Sequence, residues 1–188
     1  MLKYAILGFL SYTPMTGYDI KLRMDRSTSH FWHAKLSQIY TTLKSLEEEM
    51  CVKSSVVEQT ERPDRRIYSI TDKGLSELKM WLDEPYTECS PKKETLVLKM
   101  FFAARMDRGA AISQLKIQLD IHRKQLEYYR NEVVQSIQNA EKEFPSLKFD
   151  ALMWEATRKF GERYEELYVT WIEEMLRDLF RMEDADTG

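Results

Sequence analysis

Arg62, Arg65 and Arg66 crowd around Pro63 and Asp64, between the β-prone stretches VKSSVVEQ and RIYSIT. Upstream, Leu36, Ile39, Leu43, Leu46 and Met50 recur at spacings of 3, 4, 3 and 4, the narrow apolar stripe of a helix that faces a core. Ser37, Gln38, Thr41, Lys44 and Ser45 fall on the opposite side, with no anion until Glu47. A helix exposed only for solubility mixes Glu and Lys along its outer face. Hydroxyls, an amide and a lysine are instead groups that hydrogen-bond base edges and phosphates, and clustered guanidiniums bind phosphate. The chemistry these residues suit is recognition of a polyanion rather than bond-making.

Other chemistries lack their residues. There is no G-x-S-x-G, no phosphate-cradling glycine loop and no Cys/His pair at a useful spacing. Glu47, Glu48 and Glu49 are consecutive, so on a helix they diverge and form no catalytic carboxylate pair. His30 and His33 could share a helical face, but no cysteine or acidic ligand lies near to complete a metal set, and His122 stands far away. Cys51 and Cys89 have no partnering motif and read as small apolar residues, reduced in a cytosolic compartment. No enzyme, metal or cofactor is expected.

The elements needed to position the polar groups follow in order. Residues 3–11 read as a short buried helix, stopped by Pro14; Thr16 is placed to cap a second helix, GYDIKLRMDRS. The striped helix spans about 37–50. VKSSVVEQ, the turn TERPDR and the alternating RIYSIT predict a β-hairpin with the three arginines at its tip, and Thr71-Asp72 opens a fourth helix that ends before Pro85. Three helices, a basic-tipped hairpin and a helix is winged helix-turn-helix order, in which the third helix enters a major groove and the wing reaches flanking backbone.

These segments resemble the PadR family of bacterial transcriptional regulators. The resemblance lies in ILGFLSYTPMTGYDI (6–20), SQIYTTLKSLEEE (37–49) and RRIYSITDKGLSELKMWL (65–82). Gly17, Tyr18, Tyr40, Thr42, Leu43, Lys44, Leu46, Tyr68, Thr71 and Gly74 fall on positions of the family pattern. Thr41 stands where the family often has Pro, Ser45 where it often has Arg or Lys, and Met50 where it usually has Gly; a non-glycine there makes a left-handed helix cap more costly. The resemblance implies a homodimer that represses by binding double-stranded DNA at a near-palindromic operator, relieved by a small-molecule or stress signal. By position it carries Gln38, Thr41, Thr42 and Lys44 to the DNA, with Arg65 and Arg66 on the wing. Ser37 and Arg62 join them from the outer face and the hairpin. Tyr18 and Tyr40 read either as phosphate-bonding hydroxyls or as core-edge aromatics, and Tyr40 is kept among the candidates.

Residues 1–85 are therefore expected to form the DNA-binding domain and 86–188 an all-helical dimerisation domain. After the polar DEPYTECSPKKE, a short apolar helix breaks near Gly109. A long helix from 110 to about 143 carries the stripe Ile112, Leu115, Leu119, His122, Leu126, Tyr129, Val133, Ile137, Ala140 and Phe144, with a one-residue slip after Val133. A last helix, about 150–182, carries Met153, Ala156, Phe160, Tyr164, Leu167, Trp171, Met175, Leu179 and Met182 as its seam. Apolar residues off these seams (Ile117, Ile121, Val134, Tyr168, Ile172, Leu176) call for a further surface, most economically a second copy of the chain. His122 is expected to find a polar neighbour within the seam, and an effector pocket is not located by the sequence.

Composition agrees with this mainly helical plan. Only 6 Gly and 5 Pro in 188 residues leave little material for a turn-rich β architecture. The net charge of −3 is unevenly spread: residues 1–45 hold six cations against Asp19 and Asp25, which suits one face contacting an anionic polymer. No apolar run approaches the ~18 residues of a membrane span, and the first residues lack signal-peptide features, so a cytoplasmic protein without a membrane partner is expected. The competing reading is a winged-helix interaction module that binds another protein and no DNA; the anion-free helix face and the wing arginines distinguish the two.

Overall fold

The computed structural model describes residues 1–28, 31–57, 65–88 and 93–186, with side chains through 182. Arg62, Pro63 and Asp64 of the wing, and also His30 and Cys89, lie outside the described residues. The chain divides into two compact units, Met1–Cys89 and Ser90–Gly188.

The first unit contains α1 (Leu2–Leu10), α2 (Gly17–Ser27), α3 (Leu36–Glu48), β1 (Val52–Val57), β2 (Arg65–Ile70) and α4 (Asp72–Asp83). Local chemistry sets these boundaries. Thr16 caps α2 through a reciprocal box, its hydroxyl accepting from the Asp19 N–H while the Asp19 carboxylate accepts from the Thr16 N–H. Thr71 caps α4 by accepting from the Gly74 N–H. The strands pair antiparallel, Val52 opposite Ile70 and Val57 opposite Arg65. Met15 adds a bridge to Tyr68, which ties the start of α2 to the wing.

The middle of the α3 stripe behaves as its spacing predicts, with Ile39, Leu43 and Leu46 fully buried beside Ile6, Leu7 and Leu10 of α1 and Ile20 and Met24 of α2, whereas Leu36 is half-buried and Met50, past the helix end, is exposed. Each fully buried side chain contributes about 1.5–3 kcal/mol, so this core holds the polar face of α3 outward. Tyr4 stacks on Trp81 at 4.7 Å, closing α1 against α4. Gly74 is required where α4 begins, because a Cβ there would stand 2.1 Å from the Cys51 carbonyl oxygen.

The helix end at Met50 differs from the family pattern without running on. Met50 adopts φ 59°, the Cys51 N–H donates to the Leu46 carbonyl and the Met50 N–H to Glu47. This is a Schellman cap with methionine in the left-handed position usually given to glycine.

The second unit is α5 (Thr95–Phe101), α6 (Arg108–Tyr128), α7 (Val134–Glu143) and α8 (Lys148–Asp186). The break before the long helix falls at Asp107, whose carboxylate caps α6 through the Ala110 N–H, rather than at Gly109. α6 and α7 are joined through a π-turn, Tyr129–Val133. The extra residue of that turn is the physical counterpart of the slip in the apolar repeat.

The α8 seam is a correction. Ala151, Arg158, Glu165 and Ile172 recur every seven residues on the buried face, with Gly161 and Tyr168 between them. Tyr168, Ile172 and Leu176, expected off the seam, form the core with Ile112, Leu115 and Leu119. Met153, Ala156, Phe160, Leu167 and Met182 of the expected seam are exposed, while Tyr164, Trp171, Met175 and Leu179 pack at its edge. Apolar count pointed to the wrong face because the true seam accepts paired charges. Buried Arg158 holds Glu155 in a two-pronged pair (2.7 and 2.9 Å) and Glu162 at 2.6 Å, and donates to the Tyr129 carbonyl at 3.2 Å. His122 meets Glu165 at 2.5 Å and stacks on Tyr168, the polar neighbour expected for it. Glu94, which precedes α5, accepts from the hydroxyls of Tyr164 and Tyr168, each at 2.6 Å.

Candidate nucleic-acid interface

Around α3, the buried stripe leaves Ser37, Gln38, Tyr40, Thr41 and Lys44 exposed and Thr42 half-buried. Ser37, Thr41, Lys44 and Glu48 follow one another at i, i+4, i+7 and i+11, so they form the crest of the helix. The Thr41 and Thr42 hydroxyls donate to the Ser37 and Gln38 carbonyls at 3.0 and 2.8 Å. That fixes their rotors and leaves oxygen lone pairs directed outward as acceptors. The Gln38 carbonyl oxygen accepts from the Lys35 N–H at 2.9 Å, which orients its amide nitrogen away from the backbone. Lys44 is 77% exposed, and Glu48 approaches it only to 3.9 Å. Ser45, where the family often carries a cation, donates to Glu49 on the flank of the helix.

Tyr40 lies against the start of α2. A Cβ on Gly17 would stand 2.6 Å from the Tyr40 ring, so glycine is what allows the approach. The ring edge is packed and the side chain is still 45% exposed. Tyr18 is exposed beside it.

Arg65 and Arg66 are the first residues of β2, opposite Val57 and Val56. The Arg65 guanidinium donates to Asp19 at 3.2 Å. The Arg66 guanidinium donates to Glu47 at 2.6 Å and to the Ser54 hydroxyl at 2.9 Å, and lies 5.5 Å from the Tyr68 ring centre. The loop end of the strand pair is thereby tied to the first turn of α2 and the last turn of α3. The Thr16 hydroxyl, with Arg65 adding to it, holds the Asp19 carboxyl below the usual carboxylate range. The Ser54 hydroxyl, with Arg66, does the same for Glu47.

Sequence reasoning missed Asp19 and Glu47. Asp19 and Arg65 lie 46 residues apart and no local pattern joins them. Glu47 is likewise on a different element from Arg66, and only the packing of α3 against the strand pair brings them together.

A separate acidic cluster needs no metal. Glu49, Cys51 and Glu77 converge, but the Lys3 ammonium bonds both carboxylates, at 2.9 and 2.7 Å. The buried Cys51 thiol is pushed above its ordinary value by burial, then by its hydrogen bond to Glu77, which keeps it unreactive.

Helices, wing and the C-terminal helical unit define a winged helix-turn-helix protein with a separate helical unit. Residues 6–80 match the transcriptional regulator PadR-like family and residues 92–179 the virulence activator alpha C-term family. The negative transcriptional regulator PadR of Bacillus subtilis is 32% identical over 94% of this chain and 96% of its own. Its crystal structure with operator DNA superposes at TM-score 0.76 with 28% identity, covering 95% of this chain and 98% of that one. A second crystal structure of that regulator, with p-coumaric acid, gives 0.68 at 28% identity over the same shares of the two chains. The chain belongs to the PadR-like family and is a transcriptional regulator of that type, a family of regulators rather than enzymes. Among the described residues no helix is long and apolar enough to cross a membrane.

Proposed function

We propose that the protein is a cytoplasmic repressor that binds a near-palindromic DNA operator as a homodimer and releases it on a small-molecule or stress signal. The observation that carries this reading is the outer face of α3, where Ser37, Gln38, Thr41 and Lys44 are exposed, with Arg65 and Arg66 at the loop end of the wing's strand pair tied to the same fold by Asp19 and Glu47. Residues 1–85 serve as the DNA-binding domain: Ser37, Gln38, Thr41, Thr42 and Lys44 approach base edges and phosphates, Tyr40 borders them, and Arg62, Arg65 and Arg66 serve the flanking backbone. Residues 86–188 serve as the dimerisation domain. The exposed apolar side chains Phe149, Leu152, Phe160 and Leu167 on α8 support a second copy of the chain as the covering surface. A two-fold pair would set two α3 helices about one DNA turn, ~34–36 Å, apart. The relative solved with operator DNA and with p-coumaric acid supports both a DNA partner and a small-molecule effector.

Selecting bound duplexes from a random pool tests the reading and delivers the operator together. On the selected duplex, Lys44→Ala and Arg65→Ala are each expected to reduce the slope of log affinity against log salt by roughly 1. Failure to enrich any duplex would leave the interaction module as the reading.

A further inference from the structure

Two of the wing's arginines, Arg65 and Arg66, already hold anions. Arg65 is paired with Asp19 and Arg66 with Glu47, and each carboxylate is itself fixed, Asp19 by the Thr16 cap and Glu47 by the Ser54 hydroxyl at 2.6 Å. Lys44, by contrast, is 77% exposed on the crest of α3, and its carboxylate neighbour Glu48 comes only to 3.9 Å, looser than either wing pair. A carboxylate oxygen satisfies a guanidinium with the hydrogen-bond geometry that a phosphate oxygen uses. An anion within a Debye length of duplex backbone, about 8 Å, also repels phosphate with little screening. A surface that simply maximised attraction to DNA would carry neither Asp19 nor Glu47.

We propose that Asp19 and Glu47 are specificity-determining positioning residues: each holds a wing arginine on a substitute for backbone phosphate and yields it only to a duplex docked in register. The proposal rests on the DNA-binding reading above. A phosphate in register takes the carboxylate's place, so one charge-assisted pair is exchanged for another at little net gain. A phosphate out of register meets an arginine already satisfied and a carboxylate that repels it. Non-specific duplex then feels Lys44 but not Arg65 and Arg66, and the difference between operator and random sequence widens.

The test uses the full chain, with fluorescence anisotropy on the selected operator and on a scrambled duplex of equal length across a salt series. Glu47→Gln keeps the side chain's shape and its acceptor for Ser54 while removing the charge; Asp19→Asn does the same beside Thr16. Each is expected to tighten scrambled duplex by about tenfold and operator by threefold or less, and to steepen the scrambled-duplex salt slope by roughly 1. In an Arg66→Gln background the Glu47→Gln gain should largely vanish, because the carboxylate acts through that arginine. A gain that persists undiminished there reflects general charge and overturns the proposal. Unchanged slopes, or equal weakening on both duplexes with a lowered Tm, makes the carboxylates mere props and overturns it as well. Wild-type protein that binds neither duplex sinks the DNA reading itself, whereas wild-type binding with unaltered variants sinks this proposal alone.

Discussion

The two units dispose of their apolar residues differently. In the first, the stripe of α3 closes on α1 and α2, and Ile6, Leu7, Ile20, Ile39, Leu43 and Leu46 are wholly buried within one chain. In the second, α8 has two apolar faces. Ile172 and Leu176 pack on α6, while Phe160 and Leu167 stand 55% and 65% exposed. The first unit closes the stripe of α3 within one chain and turns that helix's polar face outward; α8 carries more apolar surface than its own unit covers. An apolar repeat therefore reports total burial in whatever assembly forms, and does not by itself say which part is buried within the chain.

The largest expected effect separates those two faces of α8. Ile172→Ala removes a fully buried side chain and should cost about 2–5 kcal/mol of unfolding free energy, in denaturant and at any protein concentration. Leu167→Glu leaves that core untouched and should instead convert a two-chain species to one chain by light scattering, with any loss of Tm growing on dilution. A Leu167→Glu protein that remains two-chain would break the contrast, and α8's exposed face would need another explanation.

Acid provides the intermediate effect and sharpens the contrast in electrostatics. In the second unit the Arg158 guanidinium, with the Lys159 ammonium adding to it, holds Glu155 below the usual carboxylate range; Arg130 and Arg158 hold Glu162 there. In the first unit Lys3 does the same for Glu49 and Glu77. A carboxyl whose folded pKa is depressed stabilises the fold fully above its unfolded value, 4.5, and loses that stabilisation as pH falls through the folded value. The two cations then fare differently. Arg158 is buried and is left charged in the seam once its partners protonate, whereas Lys3 is partly exposed and can turn to water. As pH drops below about 4.5, amide exchange should accelerate in α8 before it does in α1 and α3. The reverse order would show that the buried pairs are not what the second unit depends on.

What was legible in the sequence tracks how local its cause is. Thr16 and Thr71 announced their helices because a cap acts over three residues. The α3 stripe was readable because one face is simply apolar, and the outward set from Ser37 to Lys44 followed from the same repeat. The slip after Val133 carried the π-turn in its spacing. The buried face of α8 was not readable: Arg158 and Glu165 sit in the seam only because Glu155, Glu162 and His122 meet them there, and those meetings depend on the register of two helices. The carboxylate partners of the wing arginines were hidden for the same reason, since Asp19 and Glu47 are brought to Arg65 and Arg66 by the tertiary fold.

The smallest expected effect lies at Met50 and belongs to the first unit alone. Its φ of 59° places a side chain where L-residues are disfavoured by about 1 kcal/mol, and the Schellman hydrogen bonds hold it there. The side chain is 67% exposed, so its removal forfeits little burial. Glycine relieves the backbone strain but gives the unfolded chain more freedom, which offsets part of the gain. Met50→Gly should thus stabilise the first unit by about 0.5 kcal/mol, raising its unfolding transition by a few degrees while leaving that of the second unit in place. Operator affinity should not move, because the cap already sets the end of α3 in the geometry that glycine would adopt. A variant that is no more stable would mean the methionine side chain contributes packing equal to its backbone strain, and a shift in both transitions would mean the two units do not unfold independently.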